Sequence, residues 1–354
     1  MRLSPAPVLA LLLLAGCASS PPAAPAPSTA APDPPAAVRE LEPAEAVGAA
    51  DLDGDGSDEL VLVRGGIARW SGRETLLGGR VQVVARCDLD GDGREALLLG
   101  TGYGRGQSQA PARVWALEQG DARIAWERQG VRDQIAELRC GPGGLWMAVF
   151  ADERQVEGGW LRPGEGGKTT FEPQLTVALG LRQAPVGGGG VVVGRLYGDE
   201  PRSDGDLALH VGAVRTVLPS LRGVRSLAVA DLDGDGGDEL IVGDGWHFRY
   251  GSDARARLRL LEGPGWRRAR AVAELDGEYS VREVEVVGQG GQAWLLATGS
   301  SQVHRLVRDA LGWRDEPLGA VAETGNAVFA RQEGRDGVLI SGDPARWVPV
   351  GGGS

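Results

Sequence analysis

The stretch ADLDGDGSDELVLV (Ala50–Val63) sets three aspartates at alternate positions with glycines between them, then turns abruptly to an apolar run. It returns as ARCDLDGDGREALLLG (Ala85–Gly100) and AVADLDGDGGDELIVGDG (Ala228–Gly245), so the chain reads first as a repeat protein. Each copy runs apolar approach, Asp-Gly loop, apolar segment of strand length and turn. A further segment such as IARW (Ile67–Trp70) or ARVWALE (Ala112–Glu118) follows, in the order of a β meander. Four weaker copies fall into the same frame: Ile135–Phe150, Val191–Gly212, Val281–Gly299 and Ala327–Gly342. The matching points Val61, Leu97, Trp146, Ala208, Ile241, Leu295 and Leu339 lie 36, 49, 62, 33, 54 and 44 residues apart. That mean spacing is near the ~40–50 residues of a four-stranded propeller blade.

The expected fold is therefore all-β, a seven-bladed β-propeller of four-stranded antiparallel blades spanning 38–354. The last copy holds only three candidate strands, ending in ARWVPV (Ala345–Val350), while VRELEP (Val38–Pro43) precedes the first copy without a partner. An N-terminal strand that completes the last blade closes the ring and removes its open edges. Fifty-seven glycines, four phenylalanines and four tyrosines suit short strands joined by turns. The formal charge of −11 argues against a nucleic-acid partner, and the sequence holds no evident basic cluster, its arginines being scattered.

The N-terminus reads as an export signal: Met1-Arg2 is basic, Val8–Leu14 is apolar but short, and LAGC (Leu14–Cys17) ends it. LAGC resembles a bacterial lipobox. The resemblance implies a signal peptide over 1–16, lipidation of Cys17 and, with Ala18 next, an outer-membrane address, on the periplasmic or the surface side. Residues 17–37 then form a Pro/Ala-rich linker in an extended state.

Alternate carboxylates converge on one point only if the backbone coils tightly, which glycine permits at positive φ. Hard oxygen donors in this number suit Ca²⁺. The first loop offers Asp51, Asp53, Asp55, the Ser57 carbonyl and Glu59. The second offers Asp88, Asp90, Asp92 and the Arg94 carbonyl, weakened by Ala96 at the ninth position. The third offers Asp231, Asp233, Asp235, the Gly237 carbonyl and Glu239. An EF-hand needs a glutamate at position twelve and flanking helices, but Leu62, Leu99 and Val242 stand there. A metal-free Asp-Gly turn is the alternative.

DLDGDGSDELVLV, DLDGDGREALLLG and DLDGDGGDELIVG resemble FG-GAP (VCBS-type) repeats, as in the integrin alpha-subunit propeller and many bacterial surface proteins. The resemblance implies a calcium-bearing seven-bladed propeller used for adhesion, binding or display. The phenylalanine-glycine and glycine-alanine-proline signatures of the integrin repeats are not evident.

Other chemistry is sparse. His210, His247 and His304 fall in different repeats without transition-metal spacing. Gly187–Gly190 lacks the Lys-Ser/Thr of a phosphate loop and reads as a flexible connector. Trp70, Trp115, Trp160 and Trp347 recur near outer strands, where blade packing is the reading preferred over sugar stacking. Cys87 and Cys140 occupy equivalent places in adjacent repeats, so a disulfide is open to them if their Cα atoms approach within about 7 Å. The expected function is a non-catalytic, calcium-binding propeller lipoprotein, monomeric, presenting a face to a protein or glycan at the cell envelope. A polysaccharide enzyme on the same fold and an outer-membrane assembly scaffold are the alternatives.

Overall fold

The computed structural model describes residues 37–351 except 90–91, 104–109, 119, 131–132, 142–143, 152–154, 164–168, 179, 181, 196–204, 220–222, 246–255, 276, 289–291 and 323. Cys17, the expected signal peptide and nearly all of the linker lie outside the described residues, as do Asp90 and His247. The described residues form 28 strands, with 3-10 turns at Gly187–Gly189 and Pro264–Trp266.

The first antiparallel sheet holds β2 (Ala46–Ala50), β3 (Glu59–Arg64), β4 (Ile67–Trp70) and β5 (Arg73–Leu76). Two meanders follow: β6 (Arg80–Cys87), β7 (Ala96–Gly102), β8 (Ala112–Glu118), β9 (Asp121–Arg128), then β10 (Gln134–Gly141), β11 (Gly144–Ala151), β12 (Gln155–Pro163), β13 (Thr169–Ala178). A β10–β7 contact at Gln134 and Gly102 joins them into one eight-stranded sheet. The next four-stranded sheet holds β14 (Arg182–Val186), β15 (Gly190–Gly194), β16 (Leu207–Val211) and β17 (Val214–Leu218). Then come β18 (Val224–Ala230), β19 (Glu239–Asp244), β20 (Ala256–Glu262) and β21 (Arg268–Leu275), and after them β22 (Glu283–Val287), β23 (Trp294–Thr298), β24 (Gln302–Asp309) and β25 (Gly312–Ala320). The last sheet joins β26 (Ala327–Gln332), β27 (Arg335–Ile340) and β28 (Arg346–Pro349) to β1 (Arg39–Glu40). Arg39 faces Trp347 and Glu40 faces Arg346, so both ends of the domain share one sheet.

Side-chain pattern explains the order within each sheet. Second strands such as ALLLGTG (β7) and GVVVG (β15) are buried at every residue, because a strand covered on both faces reads as a continuous apolar run. Fourth strands such as RETL (β5) and RARAVAEL (β21) are charged and largely exposed. Apolar clusters fill the spaces between consecutive sheets; one packs Val47 and Ala49 of β2 against Ala330, Leu339 and Trp347. Trp70 and Trp347 are both buried in such clusters.

Two expectations are corrected. Gly187–Gly190 is no flexible connector: it turns β14 into β15, with Gly188 and Gly189 at φ of 72° and 73°. The fourth repeat is consequently displaced, since Ala208 falls in a third strand and Val192 of β15 is the equivalent second-strand residue. The polar residues and proline of RQAPV hide β14, which led the frame to start one strand late.

Candidate functional site

The Asp-Gly loops leave the C-terminal ends of β2, β6 and β18, and in each a strand follows, with Leu62, Leu99 and Val242 inside it. In the first loop Asp51 accepts hydrogen bonds from the amides of Gly54 (2.7 Å), Asp55 (3.0 Å) and Gly56 (2.9 Å). Asp53 accepts from Asp55 at 3.1 Å, and Asp55 accepts from Ser57 at 2.7 Å. The coil needs Gly54 and Gly56 at φ of 81° and 88°. Glu59 returns from β3 to accept from the Leu52 amide at 2.7 Å. The third loop repeats this scheme with Asp231, Asp233, Asp235 and Glu239, the last accepting from Leu232 at 2.9 Å. In the second, Asp88 accepts from Gly93 at 2.9 Å and Asp92 from Arg94 at 2.8 Å.

One carboxylate oxygen from each of Asp51, Asp53 and Glu59 lies within 4.8 Å of the others, and Asp231, Asp233 and Glu239 form a matching trio. Asp55 and Asp235 belong to neither trio. Burial raises the pKa of Glu59 and Glu239, and the three neighbouring aspartates add to the rise against the backbone hydrogen bond. Crowded carboxylates of this kind fit a hard divalent cation, which would offset their repulsion. Cys87 and Cys140 are joined as a disulfide, with Cα atoms 5.2 Å apart, linking β6 to β10.

Sequence reading missed Asp58 and a group of arginines. Asp58 is buried and accepts from the Arg331 amide at 2.6 Å, while its own amide donates to the Arg331 carbonyl at 2.7 Å, fastening the first sheet to the last. The arginines surround an axial cavity. Ala49, Arg86, Arg139, Ala184, Ala228, Glu285 and Val328 each come from a first strand of a meander and share the wall of a 750 Å³ cavity. Its mouth, 220 Å³, lies at the starts of those strands and is lined by Arg139, Arg182, Arg225, Arg282, Glu137 and Glu283. The Asp-Gly loops leave the opposite ends of β2, β6 and β18. The basic cluster is thus invisible as a run of sequence, although one dipeptide recurs as Val224-Arg225, which opens β18, and Val281-Arg282, which immediately precedes β22.

The all-β meanders, the axial cavity and the shared first-and-last sheet define a β-propeller-type fold. A crystal structure of Sqt1 from Chaetomium thermophilum bound to the N-terminus of the ribosomal protein L10 is similar over 84% of this chain and 79% of that one, at 17% identity and a TM-score of 0.50. A further Sqt1 crystal structure from that organism is 19% identical over 85% of this chain and 78% of that one, with a TM-score of 0.48. No protein-family model and no curated protein matches the sequence. The similarity to the peptide-bound Sqt1 structure corrects the expected function. That structure holds a bound protein segment, and the calcium-binding envelope display lipoprotein is set aside as the function of this chain.

Proposed function

We propose that this chain is a non-catalytic protein-binding scaffold, a seven-bladed propeller that seats a segment of a partner protein at the mouth of its axial cavity. The observation that carries the proposal is the cavity itself, whose wall takes residues from seven first strands. Dividing the eight-stranded sheet at its single β10–β7 contact yields seven four-stranded units, the last completed by β1. The bound ribosomal-protein segment in one similar structure supports a protein partner. On the same reading the three Asp-Gly loops are of FG-GAP type. Ca²⁺ held by the trios of the first and third loops would supply positive charge that stiffens those loops and takes no part in chemistry. Export and lipidation at Cys17 form a separate proposal, tested by membrane fractionation of Cys17→Ser.

The scaffold reading is tested by photo-cross-linking in extracts of the source cells. A benzophenone side chain replaces Gln82 or Thr324, both exposed at the mouth, or Arg268, exposed on the outer strand β21. A protein adduct of one discrete mass is expected from the two mouth positions and not from Arg268. Adducts of equal yield from all three, or none, would overturn the reading.

A further inference from the structure

Among the described residues, four arginines, Arg139, Arg182, Arg225 and Arg282, and two glutamates, Glu137 and Glu283, line the mouth. In a chain of formal charge −11 this is a local excess of positive charge. The two acids cancel part of it. Glu137 is engaged on both oxygens, 3.1 Å from Arg139 Nη2 and 3.5 Å from Arg182 Nη1. Burial, then Glu285 and Glu137, push the Glu283 carboxyl up, Arg182 and Arg139 oppose them, and it settles at about 7.

Arg182 is held across the opening. Its Nε donates to the Arg225 carbonyl at 2.6 Å, Nη1 to the Ala136 carbonyl at 3.3 Å and Nη2 to the Arg282 carbonyl at 3.4 Å. A guanidinium held by three backbone carbonyls keeps its charge in place when an anion arrives, which lowers the entropy lost on binding. Nε of Arg139 is buried and makes no hydrogen bond among the described residues. The mouth, at 220 Å³, has room for side chains of a segment lying across it. Planar, forked guanidinium groups match a planar carboxylate.

We propose that the mouth is a carboxylate-binding site and that the partner segment it seats is acidic; the inference rests on the reading of the chain as a protein-binding scaffold. The probe is a fluorescein-labelled octaglutamate peptide, followed by anisotropy with the full chain at low salt, with octaglutamine as control. Octaglutamate is expected to bind although the chain as a whole repels it, and octaglutamine is not. Arg225→Glu with Arg282→Glu should weaken binding at least tenfold. Thr324→Glu, exposed at the mouth and outside the core, should weaken it severalfold with an unchanged melting temperature. Arg268→Glu with Arg308→Glu, exposed and away from the cavity, should leave affinity within twofold. No octaglutamate binding, or equal binding by wild type and Thr324→Glu, would overturn the proposal. So would inorganic phosphate displacing the peptide at the same concentration as unlabelled octaglutamate, which would assign the mouth to free anions. Mouth adducts that persist without octaglutamate binding would leave the scaffold reading standing and remove this one; loss of both would remove both.

Discussion

His304 is buried between two carboxylates, with Nδ1 3.0 Å from Asp315 Oδ1 and Nε2 3.8 Å from Glu278 Oε1. Burial pushes its pKa down, but Asp315 and Glu278 outweigh that and raise it to about 9. Burial pushes Glu278 up, yet His304, Ser300 and Ser301 together hold it down at about 2. The contribution of His304 is complete below its ordinary 6.5 and is lost as pH rises to about 9. That of Glu278 is complete above its ordinary 4.5 and is lost as pH falls toward 2. The melting-temperature gap between wild type and His304→Gln is therefore expected to be widest from pH 4.5 to 6.5 and to shrink toward pH 9. A gap constant from pH 5 to 9 would remove the charged pairing. The acidic trios give a second test at this scale. Extracellular-type calcium sites bind at roughly 10⁻⁴ to 10⁻³ M, and a site at ten times its dissociation constant adds about 1.4 kcal/mol of stability. Chelation should lower the melting temperature, and Asp53→Asn or Asp233→Asn should each remove part of that response. Calorimetric traces that overlay with and without chelator would make the loops plain turns.

Strand β1 has only two residues, and both are exposed, so its own burial stabilises little. Its role is to cover an edge: Arg39 and Glu40 pair with β28, the Leu41 amide donates to the Ala345 carbonyl at 2.8 Å, and Ala44 bridges to Gly342. Deleting 38–43 should uncover the β28 edge, lower the melting temperature and promote self-association, read by calorimetry and light scattering. A truncated chain that is equally stable and monomeric would show that the edge needs no cover. Much of this level was legible in the sequence. An Asp-Gly loop marks the end of a first strand so strongly that β2, β6 and β18 could be read directly, and the leftover Val38–Pro43 pointed to the last sheet. Strand β14 was not legible, because Arg182, Gln183 and Pro185 interrupt its apolar pattern and the tetraglycine after it looks like a linker. The arginine mouth stayed hidden for a different reason. Its arginines stand more than forty residues apart, so only the ring brings them together.

Across the whole molecule, charge is sorted along the axis. Arginines gather where the first strands begin, and aspartates gather in loops where three of them end. The wall between them holds both signs: Arg86 lies 3.4 Å from Asp58, and Glu285 accepts from the Phe329 amide at 3.3 Å. In a chain of formal charge −11, a cationic mouth steers an acidic segment to itself, with a strength that falls as salt rises. The partner's binding should therefore weaken steadily between about 50 and 500 mM salt, whereas an apolar interface would hold or strengthen. Hydrogen–deuterium exchange of the full chain, alone and with the partner recovered by cross-linking, bears hardest on a partner seated at the mouth. Slowed exchange is expected in 80–84, 224–226, 281–283 and 324–326, where the first strands begin. Slowing confined to the outer strands β5, β17 and β21, or to the Asp-Gly loops, would contradict it.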